Sequence, residues 1–310
     1  MVKKIFLLAI SFVFLITGCS TNKSPIENTT IPSPTISIDI VSSTEIPVLE
    51  NNDFLAMFPE ITYTAKMIDG RIPILESYLD NGQLNKPLVI MVHGANGNKE
   101  AMGYLQGLFS QNGFYVISID LRSHGEREIE KVTFHDVLIS TGEDIDKVIE
   151  YASTNEQIDA ENFGMLGFSM GGMICYWYTA NGKYTPKIIS PIASTPDWSQ
   201  IQDSYLVDLL FENGNSEIVT DNHQQEVEKM LASSPINNLD KFMNTTIIIG
   251  HGGLDDLIYP IGDQTFYQTM LSMNHPKIEY HEFPDVQHHT PNDFIPIMVN
   301  TFTNALNPKP

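Results

Sequence analysis

The chain has 310 residues, with 17 Lys and Arg against 38 Asp and Glu, a formal charge of −21, and 42% hydrophobic and 18% charged residues. That composition excludes wholesale disorder, and the charge argues against nucleic acid as a partner, because a phosphate backbone requires a Lys/Arg footprint. The two cysteines exclude a disulfide scaffold and a multi-cysteine zinc site, while the length suits one large α/β domain or two small ones.

The first 18 residues read as an address rather than a fold. Lys3 and Lys4 precede an apolar run from Ile5 to Ile16, which is too short for a comfortable membrane span. The end of the run, Leu15-Ile16-Thr17-Gly18-Cys19, resembles a bacterial lipobox. The resemblance implies cleavage before Cys19, a diacylglyceryl thioether on its sulfur, and an extracytoplasmic domain held to the cell membrane by that lipid. Residues 20–47 hold six Ser, five Thr and four Pro, the composition of a tether whose loose-coil span is about 30 Å. The expected organisation is therefore a signal peptide over 1–18, a lipidated tether over 19–50 and a folded domain over 51–310. With Cys19 alkylated, Cys175 has no intrachain partner and reads as a small apolar filler of a buried helix.

From residue 51 the pattern alternates between strand and helix. Ile61–Ile68 and Ile72–Leu79 alternate apolar and polar, as half-exposed strands do, and flank the hairpin signal Asp69-Gly70. Leu88–Val92, Tyr115–Ile119, Phe163–Phe168, Ile188–Ile192 and Thr246–Ile249 are short continuous apolar runs, the mark of strands buried on both faces. Glu100–Asn112, Asp136–Tyr151, a segment from Met170, Pro260–Met273 and Asn292–Leu306 read as helices, and Ile278–Phe283 as a late strand. This order predicts a mostly parallel sheet of about eight strands with helices on both faces. Residues 194–243 are too long for a simple crossover and are expected to form a small cap, with helical pieces near Tyr205–Phe211 and Gln224–Leu231. Between Asp197 and Asp240 the stretch carries nine acids and one base, Lys229, which should disfavour anionic substrates.

The chemistry gathers at strand ends. Gly167-Phe168-Ser169-Met170-Gly171 matches G-x-S-x-G between an expected strand and an expected helix. A sharp turn there exposes the serine hydroxyl, and the helix N-terminus behind it offers N–H groups to an anion. A serine nucleophile needs a base after a late strand, and His288-His289 follow Ile278–Phe283. The base needs a carboxylate to hold its tautomer, and Asp255-Asp256 follow Thr246–Gly250. An oxyanion hole needs two N–H donors: the residue after the serine, Met170, and the turn His93-Gly94-Ala95-Asn96-Gly97, where Ala95 is the natural second donor. His93 and His251, beside glycines at strand ends, read as structural histidines. No third zinc ligand, H-E-x-x-H pattern, P-loop or Rossmann spacing accompanies these segments, so no metal or cofactor is expected.

Together the oxyanion turn, Asp120-Leu121-Arg122-Ser123-His124-Gly125-Glu126, the serine turn, Ser234-Pro235-Ile236-Asn237 and His251 through Pro260 resemble the α/β-hydrolase superfamily, over roughly residues 60–305. The likeness is to its dienelactone-hydrolase-like and prolyl-oligopeptidase-like esterases. The resemblance implies the α/β-hydrolase fold, with Ser169 as nucleophile, Asp255 as triad acid, His288 as base, and Ala95 and Met170 as oxyanion donors. It implies hydrolysis of a small-molecule carboxylic ester through an acyl-enzyme. Two other readings stand beside it: peptidase or amidase action, and a non-catalytic surface lipoprotein on a retired hydrolase fold. The propeller domain of prolyl oligopeptidases is not expected in a chain of this length. Ser123 replaces the glycine usual in relatives, which predicts a differently shaped loop. Asp285-Val286-Gln287 replaces the glycines that often precede the histidine, and serine replaces the cysteine nucleophile of dienelactone hydrolases proper.

Overall fold

The computed structural model describes residues 54–127, 133–202 and 223–307. The expected signal peptide, Cys19, the tether and the helix near Tyr205–Phe211 lie outside the described residues. Within them, eight strands form one sheet: β1 (Ile61–Ile68), β2 (Ile72–Leu79), β3 (Lys86–Val92), β4 (Tyr115–Ile119), β5 (Ile158–Phe168), β6 (Ile188–Ile192), β7 (Thr246–Gly252) and β8 (Ile278–Phe283). Their order is β1-β2-β4-β3-β5-β6-β7-β8. The hairpin β1–β2 and the pair β2–β4 are antiparallel, and every other pair is parallel. This is the α/β-hydrolase fold expected from the sequence.

Eight α-helices accompany the strands in the described residues: α1 (Phe54–Met57), α2 (Gly103–Gln111), α3 (Phe134–Ala152), α4 (Met170–Asn181), α5 (Ser199–Gln202), α6 (His223–Ala232), α7 (Ile261–Ser272) and α8 (Phe294–Leu306). Period-two alternation along β3 divides the core. Leu88, Ile90 and Val92 join the cluster with Val148 of α3, Ile174 of α4 and Phe266 of α7. Val89 and Met91 join Phe109 of α2 and Phe302 of α8 on the opposite face.

Three elements depart from expectation. Strand β2 is not half-exposed, because six of its eight residues are buried. Its polar positions are met by packed partners instead of water. Ser110 of α2 bonds Ser77 at 3.0 Å, and the Tyr151 hydroxyl of α3 donates to Glu76 at 2.8 Å while Lys66 pairs with it at 2.8 Å. Strand β5 starts five residues early, since Ile158 and Asp159 pair with Lys86 and Pro87 before a bulge brings Phe163 opposite Leu88. Helix α3 begins at Phe134 because Thr133 and Asp136 form a reciprocal capping box.

The segment expected as a cap is anchored at its described ends. Trp198 is fully buried, its backbone N–H donates to Ser234 Oγ at 3.0 Å, and that hydroxyl donates to the Pro196 carbonyl at 2.9 Å. Helix α6 contains the expected Gln224–Leu231, and Ser233 just after it lies 3.0 Å from the His135 ring on α3.

Candidate active site

In a parallel sheet the loops at the C-terminal strand ends form one rim, and four of them converge here. Strand β5 ends at Phe168 and α4 starts at Met170, leaving Ser169 alone to turn the chain. Its φ of 53° and ψ of −118° are strained for a residue with a Cβ, at a cost of about 1–3 kcal/mol. The neighbouring glycines make the turn sterically possible. A Cβ on Gly167 would strike the Gly171 carbonyl, and one on Gly171 would strike the Val92 carbonyl of β3. The turn is held by the Ser169 N–H, which donates to the Ile192 carbonyl at 2.8 Å.

The loops after β7 and β8 bring the other two groups. His288 Nε2 lies 2.9 Å from Ser169 Oγ, and His288 Nδ1 lies 2.7 Å from Asp255 Oδ2. Since the carboxylate accepts from Nδ1–H, Nε2 is left to accept the serine proton. Asp255 Oδ1 accepts from the N–H groups of Leu257 and Ile258, both at 3.0 Å. Burial alone would raise the Asp255 pKa, but hydrogen bonds from His251 and His288 outweigh it and hold the carboxyl well below its ordinary range. Asp256 and His289, the neighbours of these two residues, are both exposed.

Ala95 sits in the turn that follows β3, closed by the Gly97 N–H on the Gly94 carbonyl at 3.1 Å. His93 fastens that turn from below. Its Nδ1–H donates to the Gly94 carbonyl at 2.7 Å, and its Nε2 accepts from Leu121 N–H at 3.2 Å. Burial lowers its pKa to about 3, so the ring is neutral and structural. Among the described residues, neither the Ala95 nor the Met170 amide donates to an acceptor. The Met170 amide opens α4, where the helix dipole favours negative charge.

The loop after β4 braces the oxyanion turn. Asp120 accepts from the amides of Lys99 at 2.7 Å and Glu126 at 2.8 Å, and the buried Lys99 ammonium pairs with Glu126 at 2.7 Å. Ser123 adopts φ 61°, the left-handed conformation glycine favours.

A buried chain of groups behind Asp255 escaped the sequence reading. His251 Nδ1 lies 2.8 Å from Asp263 Oδ2, and its Nε2 lies 2.9 Å from the Ile258 carbonyl and 3.3 Å from Asp255 Oδ2. The Tyr176 hydroxyl donates to Asp263 at 2.7 Å. A carbonyl can only accept, so Nε2 carries a proton, while Nδ1 faces a carboxylate. Burial would favour the neutral ring, but hydrogen bonds to Asp255 and Asp263 push the His251 pKa up to about 10. The signal was present in the placement of His251 at the end of β7, but Asp263 and Tyr176 come from α7 and α4. Cys175, one position before Tyr176, is buried in α4 as expected.

Residues 102–296 match the prolyl oligopeptidase family. YitV of Bacillus subtilis (strain 168), provisionally named an esterase, is 23% identical over 196 residues, spanning 60% of this chain and 75% of that protein. The fold is similar to that of the Pyrococcus furiosus esterase Pf2001, with a TM-score of 0.58, 16% identity, and coverage of 84% of this chain and 99% of the other. It is also similar to Porphyromonas gingivalis dipeptidyl peptidase 4, with a TM-score of 0.64 and 17% identity, covering 79% of this chain but 35% of that one.

Proposed function

The chain belongs to the prolyl oligopeptidase family of serine-hydrolase-type esterases and peptidases, and on that premise we propose that it hydrolyses a small-molecule carboxylic ester through an acyl-enzyme. The observation that carries the reading is the unbroken line of hydrogen bonds from Ser169 Oγ through His288 to Asp255. His288 Nε2 takes the hydroxyl proton as Ser169 attacks the ester carbonyl, and Asp255 stabilises the imidazolium that results. The oxyanion forms between the amides of Ala95 and Met170, each donor contributing about 3–4 kcal/mol to the transition state. His288 then protonates the leaving alcohol, and a water activated by the same imidazole releases the acid and restores Ser169. This chemistry calls on no cofactor or metal.

Ester over amide is supported by the two relatives named as esterases, which are matched over most of their own length. The family name and the likeness to a dipeptidyl peptidase favour a second reading, cleavage of a peptide or amide bond. Turnover of p-nitrophenyl acetate and of an aminoacyl p-nitroanilide by the purified chain separates them. The expected result is a higher kcat/KM on the ester, abolished in Ser169→Ala. Preference for the anilide supports the peptidase, and unchanged ester hydrolysis by Ser169→Ala ends the proposal.

We further propose that the enzyme works outside the cytoplasm, attached to the cell membrane through lipid on Cys19. Support comes from the apolar run ending in Leu15-Ile16-Thr17-Gly18-Cys19 and the Ser/Thr/Pro-rich stretch that follows. Metabolic incorporation of labelled palmitate that disappears in Cys19→Ala is the expected outcome, and retained label in that variant contradicts it.

A further inference from the structure

Next to the oxyanion turn lies a cavity of about 370 Å³, within the size range of small-ligand sites. Its floor is apolar: Met102, Leu105 of α2, Phe168 and Ile295 of α8. Among the described residues, no Asp, Glu, Lys or Arg lines it. Helices α2 and α8 cover the same face of the sheet, and two of the cavity's lining residues adjoin the nucleophile: Phe168 precedes it in the chain, and a Cβ on Gly94 would lie 3.2 Å from the Ser169 Cβ.

Two of its lining residues stand beside the His288 imidazole. The Phe168 ring lies 5.1 Å from the His288 ring, and Thr290, two residues past His288, also lines the cavity. The position of His288 decides which half of an ester enters. Its Nε2, 2.9 Å from Ser169 Oγ, must hand the serine proton to the leaving oxygen, so that oxygen lies on the imidazole's side of the tetrahedral carbon. The oxyanion takes the space by the Ala95 and Met170 amides, and the acyl substituent takes the side that remains.

We infer that this cavity is the subsite for the leaving alcohol, and that the alcohol it takes is uncharged, apolar and bulky, such as a cyclic or branched alkyl group. The inference rests on the proposed acyl-enzyme reading and adds which half of the ester is selected by size. Burying the alkyl group against Met102, Leu105 and Ile295 removes apolar area from water, while a charged alcohol would find no partner there.

The test uses the full-length chain and two ester series. One holds acetate and compares methyl with cyclohexyl alcohol; the other holds methanol and compares acetyl with hexanoyl. Ala101 lines the cavity from an exposed backbone position, so Ala101→Trp puts a ring into it without displacing the core. The ratio of kcat/KM for cyclohexyl over methyl acetate is expected to fall on the order of tenfold in Ala101→Trp, with the hexanoyl-to-acetyl ratio unmoved. Leu105→Ala, which enlarges the cavity, is expected to raise the cyclohexyl-to-methyl ratio. An alcohol ratio unmoved by both variants, or a change that follows the acyl series, overturns the inference alone. Absence of turnover on every ester, together with no fluorophosphonate adduct at Ser169, overturns the acyl-enzyme reading and this inference with it.

Discussion

Asp255→Asn probes the site through a single atom. Asp255 Oδ1 accepts from two backbone amides, those of Leu257 and Ile258 at 3.0 Å. In the variant those donors hold the amide oxygen, which forces the NH2 group into the place of Oδ2, 2.7 Å from His288 Nδ1. Two donors cannot face each other, so Nδ1 must become the acceptor and Nε2 must carry the proton. The nitrogen that should accept from Ser169 is then blocked. A loss in kcat on the order of 10⁴-fold is expected, about 5 kcal/mol of transition-state stabilisation. The NH2 group also faces His251 Nε2–H, 3.3 Å from Oδ2 in the parent, which adds a stability loss of about 1–3 kcal/mol. Steady-state turnover of p-nitrophenyl acetate, with urea unfolding on the same samples, measures both effects. Asp256→Asn, a change at an exposed position, serves as the control and should match the parent. Asp255→Asn retaining kcat within tenfold of the parent, or Asp256→Asn losing as much, refutes the reasoning.

Strain at Ser169 makes a second expectation of unusual sign. Both Ser169→Gly and Ser169→Ala lose the bond to His288, but only glycine accepts φ 53° and ψ −118° without penalty. The glycine variant should be the more stable by about 1 kcal/mol in chemical denaturation; an alanine variant of equal or greater stability argues against strain. His251 sets a pH dependence. Its folded pKa, about 10, lies above the ordinary 6.5, so its contribution to stability is complete below about pH 6.5 and is lost as pH rises toward 10. Unfolding free energy should therefore fall between pH 7 and pH 10 more steeply in the parent than in His251→Gln, and parallel curves contradict that assignment.

The inner parallel strands of this fold are legible because β3, β4 and β6, buried on both faces, are short and mostly apolar runs. The serine turn is equally local, since strand, Gly-x-Ser-x-Gly and helix stand side by side in the chain. What local patterns could not reveal depends on packing between distant segments. Glu76 and Ser77 look like the polar half of an exposed strand until Tyr151, Lys66 and Ser110 close over them. Asp263 looks like an ordinary acid in the first turn of α7, and only the register of α7 against β7 brings it to His251. Ser123 reads as a departure from glycine, but its left-handed φ and the bonds that Asp120 makes to the amides of Lys99 and Glu126 are visible only in three dimensions.

If Asp255 and His288 activate it, the hydroxyl of Ser169 is a reactive nucleophile. Peptide mapping by mass spectrometry after reaction with a fluorophosphonate tests it most directly. One phosphonyl adduct is expected, on the peptide carrying Ser169, slowed in Asp255→Asn and absent in Ser169→Ala. An unmodified Ser169 in the parent chain, or the same adduct elsewhere in Ser169→Ala, contradicts it.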